Sequence, residues 1–198
     1  MKNLWITLGV IGGIILLLFL YLNSSYNRAV KLDEETKARW ADVNAQYQRR
    51  FDLIDNLVAT VKGAANFEQT TLTQVIEARS KATGIQLNAD NLTDEQLAKF
   101  QAAQNQLKGA LSRLMVVAEQ YPQLTATQNF RELQAQIEGT ENRINMAREN
   151  YNESVRFYNS HIRGFVTRIA LSMAGGDFQV KKGFEAKTGA EDAPKVKF

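Results

Sequence analysis

The chain has 198 residues, a net charge of +3, 2 prolines, 12 glycines and no cysteine. That length carries one domain with a real core plus an appendage. The weak, dispersed charge argues against a nucleic-acid binder, which carries a basic stripe, and the missing cysteines exclude disulfides, thiolate chemistry and cysteine-ligated zinc.

The first element is the strongest. Leu4 to Leu22 reads LWITLGVIGGIILLLFLYL and holds no charge. A hydrocarbon core of about 30 Å needs roughly 20 apolar helical residues. Trp5 and Tyr21 stand near the two ends, where amphipathic rings favour the interface. A cleaved signal peptide would need a shorter apolar region and small residues before the cut, whereas Leu20, Tyr21 and Leu22 are bulky. The expectation is a retained transmembrane anchor over residues 1–25. Gly9 and Gly13 form a G-x-x-x-G pair, a spacing that lets two such helices approach closely in lipid. The count of Lys and Arg after the span, Arg28, Lys31, Lys37 and Arg39, puts the following domain in the cytoplasm. Met1-Lys2 before an apolar run also reads as a signal anchor that exports it, and the side stays open.

Residues 26–171 read as an antiparallel bundle of three or four long helices, with 172–198 as a short polar tail. From Trp40, apolar residues recur at steps of three and four: Val43, Tyr47, Ile54, Leu57, Val61, Ala64, Val75 and Ala78. Phe51, Val58, Ala65 and Leu72 widen the stripe, and Arg50 and Glu68 interrupt it with charge. Gly63 and Asn66 are places for a bend or break, and Thr83-Gly84 for an end. Thr93 with Gln96 is a capping box that starts the next helix. Its seam runs Leu97, Phe100, Gln104, Leu107, Leu111, Leu114, Ala118, Tyr121, and Pro122 stops it. A further helix is expected from 126–129 to about Ile169, with a seam through Phe130, Leu133, Ile137, Ile144, Ala147, Tyr151, Tyr158 and Phe165, flanked by Val155 and Ile162. Gly139 is a candidate interruption and Gly175-Gly176 the end. In the tail, Phe178, Val180 and Phe184 alternate loosely, as a short docked strand or a mobile end would.

No catalytic, cofactor or metal site is expected. A di-iron bundle needs a Glu-x-x-His pair from each of two helices, and the one histidine, His161, has Tyr158 three residues before it. No phosphate loop, zinc-protease or nucleophile-elbow motif occurs. Asp52 and Asp55, like Glu149 and Glu153, share a helix face, where pairing with arginine is commoner than acid–base work. Arg50 differs, because a buried arginine must be paired and hydrogen-bonded. A structural polar network is expected from Arg50, Asp52, Asn56, Glu68, Arg79 and the repeated Tyr-Asn dipeptides, Tyr151-Asn152 and Tyr158-Asn159, which lie seven apart on one helix face. Arg156, Arg163 and Arg168 suit a helix C-terminus, or meet acidic lipid or an acidic partner.

The stretches YQRRFDLIDNLVATVKG, FEQTTLTQVIEAR and YNESVRFYNSHIRGF together resemble the LemA family, from about Tyr26 to Glu185. The Arg-Arg-x-Asp-Leu-Ile-x-Asn-Leu-Val core, Glu77 to Arg79 and the doubled Tyr-Asn carry the likeness. The resemblance implies a bacterial, single-pass, membrane-anchored bundle of the inner membrane. It brings no established enzymatic activity, and some relatives are linked to building internal membranes. Family members often have Pro where this chain has Asp55 and Val166, so both helices here are expected to run on unkinked. The functional expectation is a non-enzymatic scaffold that binds the bilayer and forms a homo-oligomer. The alternative is an adaptor that presents the bundle to a membrane protease or other envelope protein.

Overall fold

A computed structural model describes residues 2–64 and 67–184. The stripe residue Ala65, the bend residue Asn66 and residues 185–198 of the expected tail lie outside the described residues. The chain is all-α: α1 (Lys2–Lys62), α2 (Gln69–Thr83), α3 (Asp94–Ala118), α4 (Pro122–Thr125), α5 (Gln128–Ile162) and α6 (Phe165–Ala174), with a 3₁₀ turn at Ala89–Asn91.

The expected anchor and the first bundle helix are one element. No glycine or proline occurs between Gly13 and Gly63, so nothing interrupts the 61 residues of α1, about 90 Å at 1.5 Å per residue. The apolar N-terminal part is long enough to cross a membrane, and none of it is buried against the rest of the chain. Beyond it, Trp40, Val43, Tyr47, Ile54, Leu57 and Val61 are buried in the bundle, as their spacing predicts.

Four helices pack up, down, up and down. Arg79 on α2 meets Asp55 on α1. The Tyr47 ring meets Phe100 on α3 with centroids 4.8 Å apart. Phe67, before α2, meets Tyr121, after α3, at 4.8 Å. Arg50 meets Glu141 on α5 at 2.8 Å. The α3 start is the expected capping box: Thr93 Oγ1 accepts from Gln96 N–H, and Gln96 Oε1 accepts from Thr93 N–H.

Gln104 sits on the α3 seam and is 7% exposed, with neither amide atom hydrogen-bonded. A buried amide left so costs about 1–3 kcal/mol. Gln104→Met keeps the volume and removes the polar atoms, so it is expected to raise the unfolding midpoint in a thermal melt.

Two helix boundaries differ from expectation. Pro122 does not merely stop α3; it opens the short α4 at N1, where a missing N–H is no loss. The last long helix does not run to Ile169. It ends at Ile162, and Gly164, with extended backbone at ψ 138, caps a new helix. The break resets the helical phase, so Phe165, expected on the seam, is 79% exposed. It also falls two residues before Val166, so this helix does not run on there, whereas α1 does pass through Asp55 unbroken. Gly139 lies inside α5 without interrupting it.

The α5–α6 corner sits where α1 leaves its apolar stretch. The His161 ring donates from Nε2 to the Ser25 carbonyl at 3.0 Å, and the Ser25 and Thr167 hydroxyls are 2.8 Å apart. Ala29, Tyr158, Ile162 and Leu171 close a small second core there. Gly175, with φ 69, ends α6 in the left-handed conformation.

Candidate functional site: a clamp on the C-terminal segment

The doubled Tyr-Asn of α5 grips residues 181–184. Asn152 Nδ2 donates to the Phe184 carbonyl at 2.9 Å, and its Oδ1 accepts from Phe184 N–H at 2.7 Å. Asn159 does the same to Lys181, at 2.8 and 2.9 Å. Between them the Tyr151 hydroxyl donates to the Lys182 carbonyl at 2.9 Å. The spacing explains the register. Seven helical residues advance about 10.5 Å, and three extended residues span about 10 Å. Two amides seven apart on a helix therefore match two backbone units three apart on a strand-like segment running antiparallel to it. Gly183 fits between the rungs, since a Cβ there would lie 2.8 Å from Asn152 Oδ1.

Side chains of the segment complete the grip. Phe184 is buried, stacked on Trp40 with centroids 5.8 Å apart and edge-on to Tyr151 at 5.9 Å, with the Arg148 guanidinium 4.4 Å above its ring. Lys181 is 5% exposed; its Nζ is 2.9 Å from Asp33 on α1 and 2.8 Å from Asp90 in the 3₁₀ turn. Lys182 pairs with Asp94 at 2.7 Å. The segment thus joins α1, the start of α3 and α5.

Burial pushes the Tyr158 hydroxyl up to about 12, helped by Asp33 and Asp90. Burial and Asp90 do the same to Tyr151. Both phenols stay protonated, which Tyr151 needs in order to donate. For Asp33, burial works against ionisation, but hydrogen bonds from Lys37 and Lys181 outweigh it and hold the carboxyl below its ordinary 3.8. A depressed carboxyl stabilises the fold fully above its unfolded value, and the contribution is lost as pH falls through the lower folded value. Protection of the amides of residues 181–184, measured against their intrinsic exchange rate at each pH, is therefore expected to fall below about pH 3.8, the ordinary value from which Asp33 is depressed. In Asp33→Asn the segment should be loosened already at neutral pH, and this acid-induced step should disappear.

The residues expected to form one polar network fall in separate places. Arg50 is buried with Glu141, which Lys108 also approaches at 3.6 Å. Arg79 spans from α2 to Asp55 and the Phe51 carbonyl. Tyr151, Asn152, Tyr158 and Asn159 build the clamp. Asp52 is exposed and accepts from Gln48, and Asn56 and Glu68 are exposed; the turn between α1 and α2 shifts the phase that had put Glu68 on the seam. Gly9 and Gly13 stand on the exposed span with nothing within 4 Å of an added Cβ. Among the described residues no three His, Asp or Glu side chains gather as a metal-binding group.

The LemA family profile matches residues 39–198, which takes in most of the bundle, the Tyr-Asn face of α5 and the segment it grips. The chain belongs to the LemA family. Its relatives include magnetosome protein MamQ 2 of Paramagnetospirillum magneticum, 28% identical over 156 residues, 69% of this chain and 57% of that protein. MamQ of Magnetospirillum gryphiswaldense is 25% identical over 151 residues, 68% of this chain and 56% of that one. Protein LemA of Metamycoplasma hominis is 25% identical over 149 residues, 75% of this chain and 64% of that one. This LemA-family chain thus spans less than two thirds of the length of the curated relatives it matches.

Proposed function

We propose that this LemA-family chain is a non-enzymatic scaffold of the bacterial inner membrane, held by a single span and assembled into a homo-oligomer. The carrying observation is the continuity of α1: one unbroken helix runs from the apolar stretch into the bundle core, so the bundle is mounted rigidly on its anchor. Copies fixed in one surface in one orientation turn weak lateral contacts into avidity. The exposed Gly9–Gly13 face supplies a close-approach surface for a second span. The magnetosome naming of the MamQ relatives supports a role at a cellular structure.

Light scattering on full-length protein in mild detergent tests this. The expected result is a multi-copy species that shifts toward monomer in the double variant Gly9→Leu/Gly13→Leu, and a small species for a chain truncated to begin at Ser24. A full-length monomer overturns the scaffold. The adaptor reading, favoured by a bundle that already binds one extended segment, would then lead, with crosslinking to one stoichiometric membrane partner as its check.

A further inference from the structure

The geometry points to α6 as a second membrane contact: it lies in the headgroup layer of the bilayer that α1 crosses, apolar stripe inward, with arginines on anionic lipid. This inference rests on α1 spanning that bilayer.

Three observations carry it. The first is level. Thr167, in the first half of α6, bonds to Ser25, and Gly176, just past its end, lies 3.6 Å (from an added Cβ) from the Tyr26 ring. A position in the first half of α6 and one two residues past its end thus meet adjacent residues of α1, so both ends of α6 lie close to one level of α1. That level is three to four residues past Leu22, about 5 Å beyond the apolar stretch, within the roughly 5–7 Å of headgroup on each side of a bilayer.

The second is the exposed face. Thr167, Ala170 and Leu171 are buried, Thr167 on Ser25 of α1 and Leu171 among Ala29, Tyr158 and Ile162. Phe165, Ile169 and Met173, four apart and on one stripe, are 79%, 40% and 75% exposed. Phe165 and Val166 share an open groove of about 510 Å³ with Tyr21 of the span and Arg28. The stripe's first residue therefore faces the end of the apolar stretch, and the groove runs from apolar span to cation.

The third is charge. Arg28, Arg163 and Arg168 are exposed at this level, and none has an ion-pair partner among the described residues. An amphipathic helix with an apolar stripe and cations settles about 5–10 Å into the headgroup–acyl boundary. Here the anchor removes most of the cost of reaching the surface, so a helix of 10 residues suffices.

The chain has no cysteine, so single spin labels can be placed on the full-length protein through Leu16→Cys in the span, Met173→Cys on the stripe and Ser112→Cys on exposed α3. Their accessibility to oxygen and to a water-soluble nickel chelate is read in vesicles of phosphatidylcholine and phosphatidylglycerol. The expected result is a Leu16 label in hydrocarbon, a Ser112 label in water, and a Met173 label about 5–10 Å inside the boundary. Arg163→Gln with Arg168→Gln should move the Met173 label outward in these vesicles. A Met173 label as water-accessible as Ser112, with Leu16 in hydrocarbon, overturns the inference alone. Shielding of Met173 from both reagents also overturns it, since the stripe then packs on a second copy or another protein. A Leu16 label in water overturns the spanning reading and the inference together.

Discussion

Glu141→Ala is expected to destabilise the bundle by about 2–3 kcal/mol, more than removal of its partner. Arg50 lies on the α1 seam with its side chain 4% exposed, and its one carboxylate among the described residues is Glu141, at 2.8 Å. Without that carboxylate a guanidinium stays buried and uncompensated. Breaking a fully buried pair in this way costs about 3–5 kcal/mol; Glu141 is 30% exposed, so water reaches part of the pair and the figure is discounted. Arg50→Met behaves differently. It removes the buried charge, keeps most of the stem's packing, and leaves Glu141 to water and Lys108, so about 1 kcal/mol is expected. In Arg50→Met/Glu141→Ala the second change should add little, because the pair acts as a unit. Urea unfolding of the four proteins at unchanged m-value measures this. An Arg50→Met cost above that of Glu141→Ala would show that Arg50 acts through packing and not through its charge.

The helices were legible because their burial repeats every three to four residues. Trp40, Val43 and Tyr47 on α1, Leu97 to Leu114 on α3 and Ile137 to Tyr151 on α5 all turn inward as their spacing requires. Continuity was legible in part: the absence of Gly and Pro between Gly13 and Gly63 permits one helix, and the structure shows it continuous from Lys2 to Lys62. The Gly164 break was not legible. A lone glycine is tolerated within a helix, as Gly139 shows, and what decides at Gly164 is that the chain has reached the Ser25 level and must turn.

The site was half legible. Tyr151, Asn152, Tyr158 and Asn159 stood out by their repeat at seven, and that repeat placed them on one face. Their target stood out only in part: Phe178, Val180 and Phe184 alternate loosely, but nothing in that spacing pairs the end with the Tyr-Asn face. The missed residues are Asp33, Asp90 and Lys181, the last two 91 positions apart; Phe184, expected in a short docked strand or a mobile end, is docked and buried. The usable signal was Gly183 before Phe184 in an otherwise polar stretch, three residues from Lys181. Arg50 could be placed on its seam, but Glu141 could not be chosen among the acids of the later helices, because that choice depends on register between α1 and α5.

The clamp sets the second large expectation. Asn152→Ala/Asn159→Ala removes four hydrogen bonds of 2.7–2.9 Å between two amides and one extended segment. At about 0.5–1.5 kcal/mol net for each bond, a loss of about 2–6 kcal/mol is expected. Most of it should appear as opening of residues 181–184 before the helices unfold, because the segment belongs to none of the helices. The N–H groups of Lys181 and Phe184 report this directly: each donates to one of the two asparagines, so its exchange rate measures release. Exchange there should rise tenfold or more for each single variant, at 1.4 kcal/mol per factor of ten, while α1 amides near Ile54 stay protected. The double variant should exchange less than the product of the two singles, since a segment already open gains nothing from losing its second rung. Exactly multiplicative effects would mean that the rungs act independently. The matched advance of seven helical and three extended residues would then be a coincidence of spacing and not the basis of the grip.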